Sequence, residues 1–302
     1  MKALSLHLAA RSPGVSTWFL AAATVVVRFG AGALLLLLFG WARPTRREAL
    51  QALALGVFSC AGMLFQMDAL NFSAASTSAF LTQGYIVILP VVGAVSARAW
   101  PRAKTVLCVC VSSGGLALLS GFDWVNLRLG RGETETLLAA CCFAVQILFL
   151  DFRGYRNNRP RVVTTLMFAC VGALSLPLAV WQARPADVGL LFATPIALGL
   201  LLVLTVPCTV VAFSWMNRYQ PEVSASEAGI IYGAEPLFAS ALSLFLPGMF
   251  ADLAGIAYAN EALGPRLLVG GGLVVLANVF LQLPWPRPPA TSVAVEIVEH
   301  CN

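Results

Sequence analysis

The sequence predicts an all-α protein: a polytopic membrane helix bundle of about nine transmembrane helices, built as two inverted repeats of which the first is incomplete. Three observations carry this. Of 302 residues, 59% are hydrophobic and only 11% charged, with mean hydropathy +0.83, whereas a soluble domain carries about 25% charged residues. The apolar residues gather into nine runs, each near the ~20 residues that a membrane crossing needs. Two of those runs, in corresponding halves of the chain, are interrupted by polar residues and proline: 73–97 with Gln83, Tyr85 and Pro90, and 224–246 with Glu235-Pro236. In lipid, a freed carbonyl or a side-chain amide must find a protein or water partner. Interrupted spans of this kind therefore belong inside a bundle, beside a cavity.

Taken in order, residues 1–16 hold Lys2, His7 and Arg11, are too short to span, and show no cleavage site of a signal peptide; they read as a short extramembrane segment. The first repeat occupies 17–121, with spans near 17–40, 49–70, 73–97 and 104–121. A linker loop, 122–133, leads to the second repeat, 134–283, with spans near 134–152, 161–181, 194–216, 224–246 and 265–283. The Pro-rich tail 284–302 is expected to be disordered and cytoplasmic. The repeats show as loose echoes in the same order. Gly32-Ala33-Leu34 answers Gly172-Ala173-Leu174, and Cys60/Phe65 answers Cys208/Phe213. The Pro-interrupted spans form a pair, and Gly114-Gly115-Leu116 answers Gly271-Gly272-Leu273. The second half has one span more, and a complete unit of odd span number inverts its partner across the membrane.

A net charge of +5 would suit nucleic acid on a soluble protein, but here the cations lie in short loops and report topology. Arg43, Arg46 and Arg47, then Arg98, Arg102 and Lys104, then Arg153, Arg156, Arg159 and Arg161 fall in alternate loops, which places those loops and the C-terminus in the cytoplasm and the N-terminus outside. A multi-pass protein of the plasma or inner membrane is expected. Seven of eight cysteines lie in apolar runs and none has zinc-ligand spacing, so no metal and no cofactor are expected. Neither histidine lies in a span, and there is no phosphate-binding loop, H-E-x-x-H or G-x-S-x-G. An ATP-driven pump and an intramembrane hydrolase lose support, and no catalytic residue is assigned. Expected partners are a small-molecule solute and the lipid bilayer, not nucleic acid, with self-association into a homodimer left open.

The mid-span polar and aromatic residues are the candidates for a solute path: Gln66, Gln83, Tyr85, Gln146, Trp215, Tyr232 and Glu235, with Pro90 and Pro236 as bending points. Glu235 sits before a proline that removes a backbone donor, which makes it a candidate proton or cation site; pairing near the outer interface is the structural alternative. The amides serve equally well as glue between helices. Arg28, the only basic residue deep in a span, is either an anion contact or a structural cation. Glu227 reads as a helix cap, Trp18, Trp100 and Trp181 as interface aromatics, and Asp68 and Asp151, at span ends, as solvated.

The runs ALNFSAASTSAFLTQGYIVILPVVGAV, VSASEAGIIYGAEPLFASALS and EALGPRLLVGGGLVVLANVF resemble the EamA-type permeases of the drug/metabolite transporter superfamily, over roughly residues 17–283. The resemblance implies ten helices as two inverted five-helix repeats that carry small metabolites, and a structural role for Arg28. This sequence departs from that pattern by starting where the second helix would begin and by a longer stretch over 247–264. The function implied is a secondary transporter moving an amino acid, nucleoside or amphiphile by alternating access. The other reading is a non-transporting membrane protein, whether a lipid-handling or embedded enzyme, an assembly partner or an inactive permease.

Overall fold

Every apolar run becomes helix, because in lipid only a helix or a closed barrel satisfies its own backbone. The computed structural model describes residues 1–73, 75–98, 100–120, 130–152, 155, 157–187, 189–255, 259–260 and 264–283. Most of the expected linker 122–133, the loop cations Arg153 and Arg156, and the tail 284–302 lie outside these residues. Among the described residues all regular structure is helical: α1 (Lys2–Arg11), α2 (Thr17–Leu38), α3 (Arg46–Ala69), α4 (Ala75–Thr82), α5 (Tyr85–Ala97), α6 (Ala103–Ser120) and α7 (Arg131–Asp151). Then follow α8 (Pro160–Gln182), α9 (Pro195–Thr205), α10 (Ala212–Tyr219), α11 (Ala225–Tyr232), α12 (Glu235–Ser243), α13 (Leu246–Ala254) and α14 (Pro265–Gln282). A π-helical stretch, Val206–Val211, joins α9 to α10 around Pro207.

By length and composition, six stretches suffice to cross a bilayer: α2, α3, 78–95 across α4–α5, α7, α8 and 195–222 across α9–α10. The pair Ala225–Ser243 and Leu246–Ala254 makes a seventh, bent by 56°. The shorter apolar stretches Ala103–Leu118 and Leu268–Leu281 lie in α6 and α14. The outer surface is correspondingly apolar, with Leu38, Val95, Leu202 and Leu268 exposed, and Trp100 and Trp181 exposed at span ends.

Helices of like position in the two halves pack on each other. The most extensive pairings include α2 with α8 and α6 with α14, and α5 meets α11. The matched glycines lie in these seams. A Cβ on Gly32 would stand 3.1 Å from the Phe168 ring, and one on Gly172 would stand 3.4 Å from the Gly30 nitrogen. Small residues let backbones approach where lipid gives helices no hydrophobic reason to associate. The core between α2, α3 and α8 holds Phe29, Phe168 and Phe213 in edge-to-face contact at 5.3–6.0 Å between centroids.

Hydrogen bonds tie the helix ends into two faces. At one face Arg159 binds Glu48 through Nε at 2.7 Å and Nη2 at 2.8 Å, Arg161 donates to Gly40 O, and Lys104 donates to Leu281 O and Leu283 O. Glu48 also closes a capping box with Thr45 at the start of α3. At the opposite face Arg131 binds Asp68 and Glu135, and Ser5 donates to Asn71. Asp68 is therefore not solvated as its position at a span end suggests: it is fully buried, and its charge is met by Arg131, whose guanidinium lies 4.2 Å from the Phe72 ring centroid. Asp151 instead accepts from the Ala225 nitrogen at 3.1 Å.

Residues 1–16, expected to be a short extramembrane segment, are helical over Lys2–Arg11, with Leu4, His7 and Leu8 buried. His7 stands 3.1 Å from Thr194 Oγ1 and 3.3 Å from Ala254 O. α1 packs on α9. The stretch 247–264, read as a connection, opens with α13.

After α8, Asp187 is buried and accepts from Arg184 Nε at 2.6 Å and Ser12 Oγ at 2.6 Å, joining the loop to the end of α1. These hydrogen bonds, Arg184 first, outweigh burial and hold its carboxyl below the usual carboxylate range. The folded value lies below the unfolded one of about 3.9, so the stabilisation is complete above that pH and is lost as pH falls through the folded value. Asp187→Asn is expected to flatten the acid limb of thermal stability measured between about pH 2 and pH 5; an unchanged acid limb would assign that limb to other carboxylates.

Candidate functional site

The two interrupted spans face each other. The first breaks at Gln83–Gly84, between α4 and α5, and the second at Gly233–Ala234, between α11 and α12. Pro90 is thus not the bending point: it lies buried inside α5, six residues past the break. Pro236 is not one either. It is in the first turn of α12, where a missing N–H leaves no bond unmade, and the 56° bend falls after α12, at Leu244–Phe245. The seam between the breaks is tight: Leu89 and Ile86 of α5 fill the space beside Gly229 of α11 and Gly233 at its C-cap.

Around these breaks the polar side chains converge. Gln83 is only 4% exposed, and its amide lies within interacting reach of both the Glu235 carboxylate and the Tyr85 hydroxyl. Its Oε1 is buried with no hydrogen-bond partner. Tyr85 is buried, and Glu235 and Tyr232 are the charged and polar groups that act on it besides Gln83. Glu235, the first residue of α12, lies beside this buried pair, its carboxyl surrounded by protein although part of the residue reaches the bundle surface. Tyr232 donates its hydroxyl to Gln220 Oε1 at 3.1 Å, and Gln220 Nε2 donates to Ile147 O at 2.9 Å.

The file continues the other way. Gln66 Nε2 reaches Thr82 Oγ1 at 3.5 Å, Thr82 donates to Ser78 O, and Ser78 Oγ lies 3.3 Å from Thr136 Oγ1. Thr136 is one residue from Glu135 in the Arg131 cluster. Polar side chains thus extend from the paired breaks toward the Arg131 cluster on one side and to Gln220 on the other.

The structure brings together Gln83, Tyr85, Tyr232 and Glu235, with Gln66 next to them. Gln146 is buried on α7 with its amide 4.0 Å from Met216 Sδ, apart from the breaks. Trp215 is not with them. It is 64% exposed and shares the outer face of α10 with Tyr219 and, in the preceding stretch, Val211. Sequence reasoning missed Gln220, Asn217 and Thr209. Phe213, Asn217 and Gln220 continue one helical face, a periodicity hidden by ending the span at 216.

Arg28 stands elsewhere. It is 2% exposed, donates from Nε to Thr209 Oγ1 at 3.0 Å, contacts Met1 Sδ at 3.2 Å and lies 5.7 Å from the Phe29 ring centroid. Thr209 donates in turn to Leu204 O, so its lone pairs face the guanidinium. Among the described residues no carboxylate pairs with Arg28. This geometry braces α2 against the π-helical stretch. Arg28→Gln is expected to lower fold stability by about 1–3 kcal/mol with solute affinity unchanged, read as a thermal shift beside equilibrium binding. A loss of affinity at unchanged stability would make Arg28 a ligand contact.

An apolar exterior around polar side chains gathered at two helix breaks is the arrangement of a membrane helix bundle with a polar interior. Residues 131–282 match the model described as the EamA-like transporter family, and the chain belongs to that family. Over 229 residues it is 26% identical to a protein of Archaeoglobus fulgidus described as an uncharacterized transporter, covering 76% of this chain and 67% of that one. A solved crystal structure, 16% identical, shares the fold with TM-score 0.65 over 93% of each chain.

Proposed function

We propose that the chain is a secondary carrier that moves a small organic solute, an amino acid, a nucleoside or an amphiphilic drug, by alternating access between its two halves. The observation that carries this reading is Gln83 at one helix break: its amide reaches Glu235 at the other, and its Oε1 is buried without a partner. A buried amide oxygen without a partner costs about 1–3 kcal/mol, and a sequence serving only to anchor has no use for it. A solute that donates there removes the penalty while its remainder lies against Tyr85 and Tyr232. Glu235 supplies the charge that selects a cationic group or takes up a coupling proton. The solute leaves chemically unchanged. The loops rich in arginine near Arg43, Arg102 and Arg159 lie at the cytoplasmic face, in a plasma or inner membrane.

Proteoliposomes carrying the purified protein test the reading. Uptake of one labelled class among amino acids, nucleosides and amphiphilic cations is expected to exceed that of empty vesicles. No uptake of any class by monodisperse, folded protein would leave the non-transporting alternative in possession.

A further inference from the structure

A polar opening lies away from the paired breaks, at the face held by Glu48 and Arg159. It is a cavity of about 290 Å³, the share of roughly ten waters in the liquid, and so large enough for a solute of amino-acid size. Gln51, Tyr155, Asn158, Asn217, Arg218 and Glu222 line it. One wall is pinned: Asn158 Nδ2 donates to Gln51 Oε1 at 2.8 Å, and the adjacent Arg159 is clamped on Glu48. Asn217 is 4% exposed and fixed by the bond from its Nδ2 to Thr164 Oγ1 at 2.9 Å. Its Oδ1 is buried with no hydrogen-bond partner. Arg218 and Glu222 are both exposed and stand one turn apart along the chain, presenting a cation and an anion to the same space.

We infer that this cavity is a second solute site, selective for a small zwitterion whose ammonium group donates to Asn217 Oδ1 and Glu222 and whose carboxylate meets Arg218. The donor set matches that class: a buried acceptor gains most from a charged donor, and the two side-chain charges exclude a ligand carrying one sign alone. Gln220 separates this site from the paired breaks. It follows Asn217 by three residues and is tied to Ile147 O and to the Tyr232 hydroxyl, so a zwitterion here waits behind a latch of two hydrogen bonds. Occupancy is independent of the carrier reading; only the waiting role rests on it.

The test is equilibrium binding by calorimetry to the full chain in nanodiscs, with three probes of one skeleton: L-serine, ethanolamine and 3-hydroxypropionate. Measurements in Glu235→Gln protein remove the charge at the paired breaks. L-Serine is expected to bind at millimolar concentration, more tightly than either singly charged probe, and about tenfold more weakly after Arg218→Gln or Glu222→Gln. Both substitutions are at exposed positions and leave the packed helices untouched, and Asn217→Leu is read only if its thermal stability is retained. No serine binding by folded protein overturns the site. Serine binding that Glu235→Gln abolishes, but Arg218→Gln and Glu222→Gln do not alter, also overturns it by assigning the ligand to the paired breaks. Equal binding of all three probes overturns the zwitterion class. Because no flux is measured, failure of transport leaves these outcomes unaffected.

Discussion

Glu235→Gln is expected to lower solute flux by about tenfold or more while the protein keeps its fold. The substitution preserves shape and removes a charge, and a hydrogen bond to a charged group is worth about 1.5–3 kcal/mol, one to two powers of ten in an equilibrium constant. Gln83→Leu supplies the companion result. It removes an amide whose Oε1 has no partner in a buried setting but whose nitrogen reaches Glu235 and Tyr85, so the relieved and lost interactions offset each other and flux should fall with little change in the thermal midpoint. A residue that merely held helices together would lose stability and flux together. Flux unchanged in both variants, measured in proteoliposomes at matched protein density, would remove the paired breaks from the solute path.

Gly115→Leu should be the most damaging single change to the fold among the glycines of α6. A Cβ there would fall 2.7 Å from Gly270 O and 2.9 Å from Leu273 Cβ, and a backbone oxygen within a helix cannot step aside. Overpacking of this kind costs about 1–3 kcal/mol, a thermal shift of several degrees, on the order of 5 °C. The neighbouring Gly114 has nothing within 4 Å of an added Cβ, so Gly114→Leu should be silent. Equal shifts for the two variants would mean that α6 does not meet α14 through this face.

The contrast between those two glycines also shows what the sequence could reveal. The spans were legible because a bilayer demands long apolar runs, and α2, α3, α7 and α8 fall where hydropathy alone puts them. Glu227 was legible as a cap, since Ser224 and Glu227 have the spacing of a capping box and form one. Pairings were not legible: Gly114 and Gly115 are indistinguishable until a partner helix is present. The breaks were misplaced because proline is the obvious interrupter, yet Pro90 continues its helix and the interruption uses Gln83-Gly84. Asp68 looked solvated because Arg131, its counter-ion, lies 63 residues away. Asn217 and Gln220 were lost to the polar run NRYQPE, which reads as a loop although its helical face points inward. Trp215 failed for the converse reason, since an aromatic within an apolar span has no sign that tells bilayer from interior.

The sharp corner at Leu244–Phe245 has no counterpart in the earlier half, where α5 runs on from Tyr85 to Ala97. Two segments of related design thus hold different shapes in one molecule. If the halves rock against each other, the opposite-facing form needs no new architecture: α5 takes the corner and the later segment straightens. A cross-link that stiffens residues 91–97 would then trap the protein in the arrangement seen here, although it touches neither Gln83 nor Glu235.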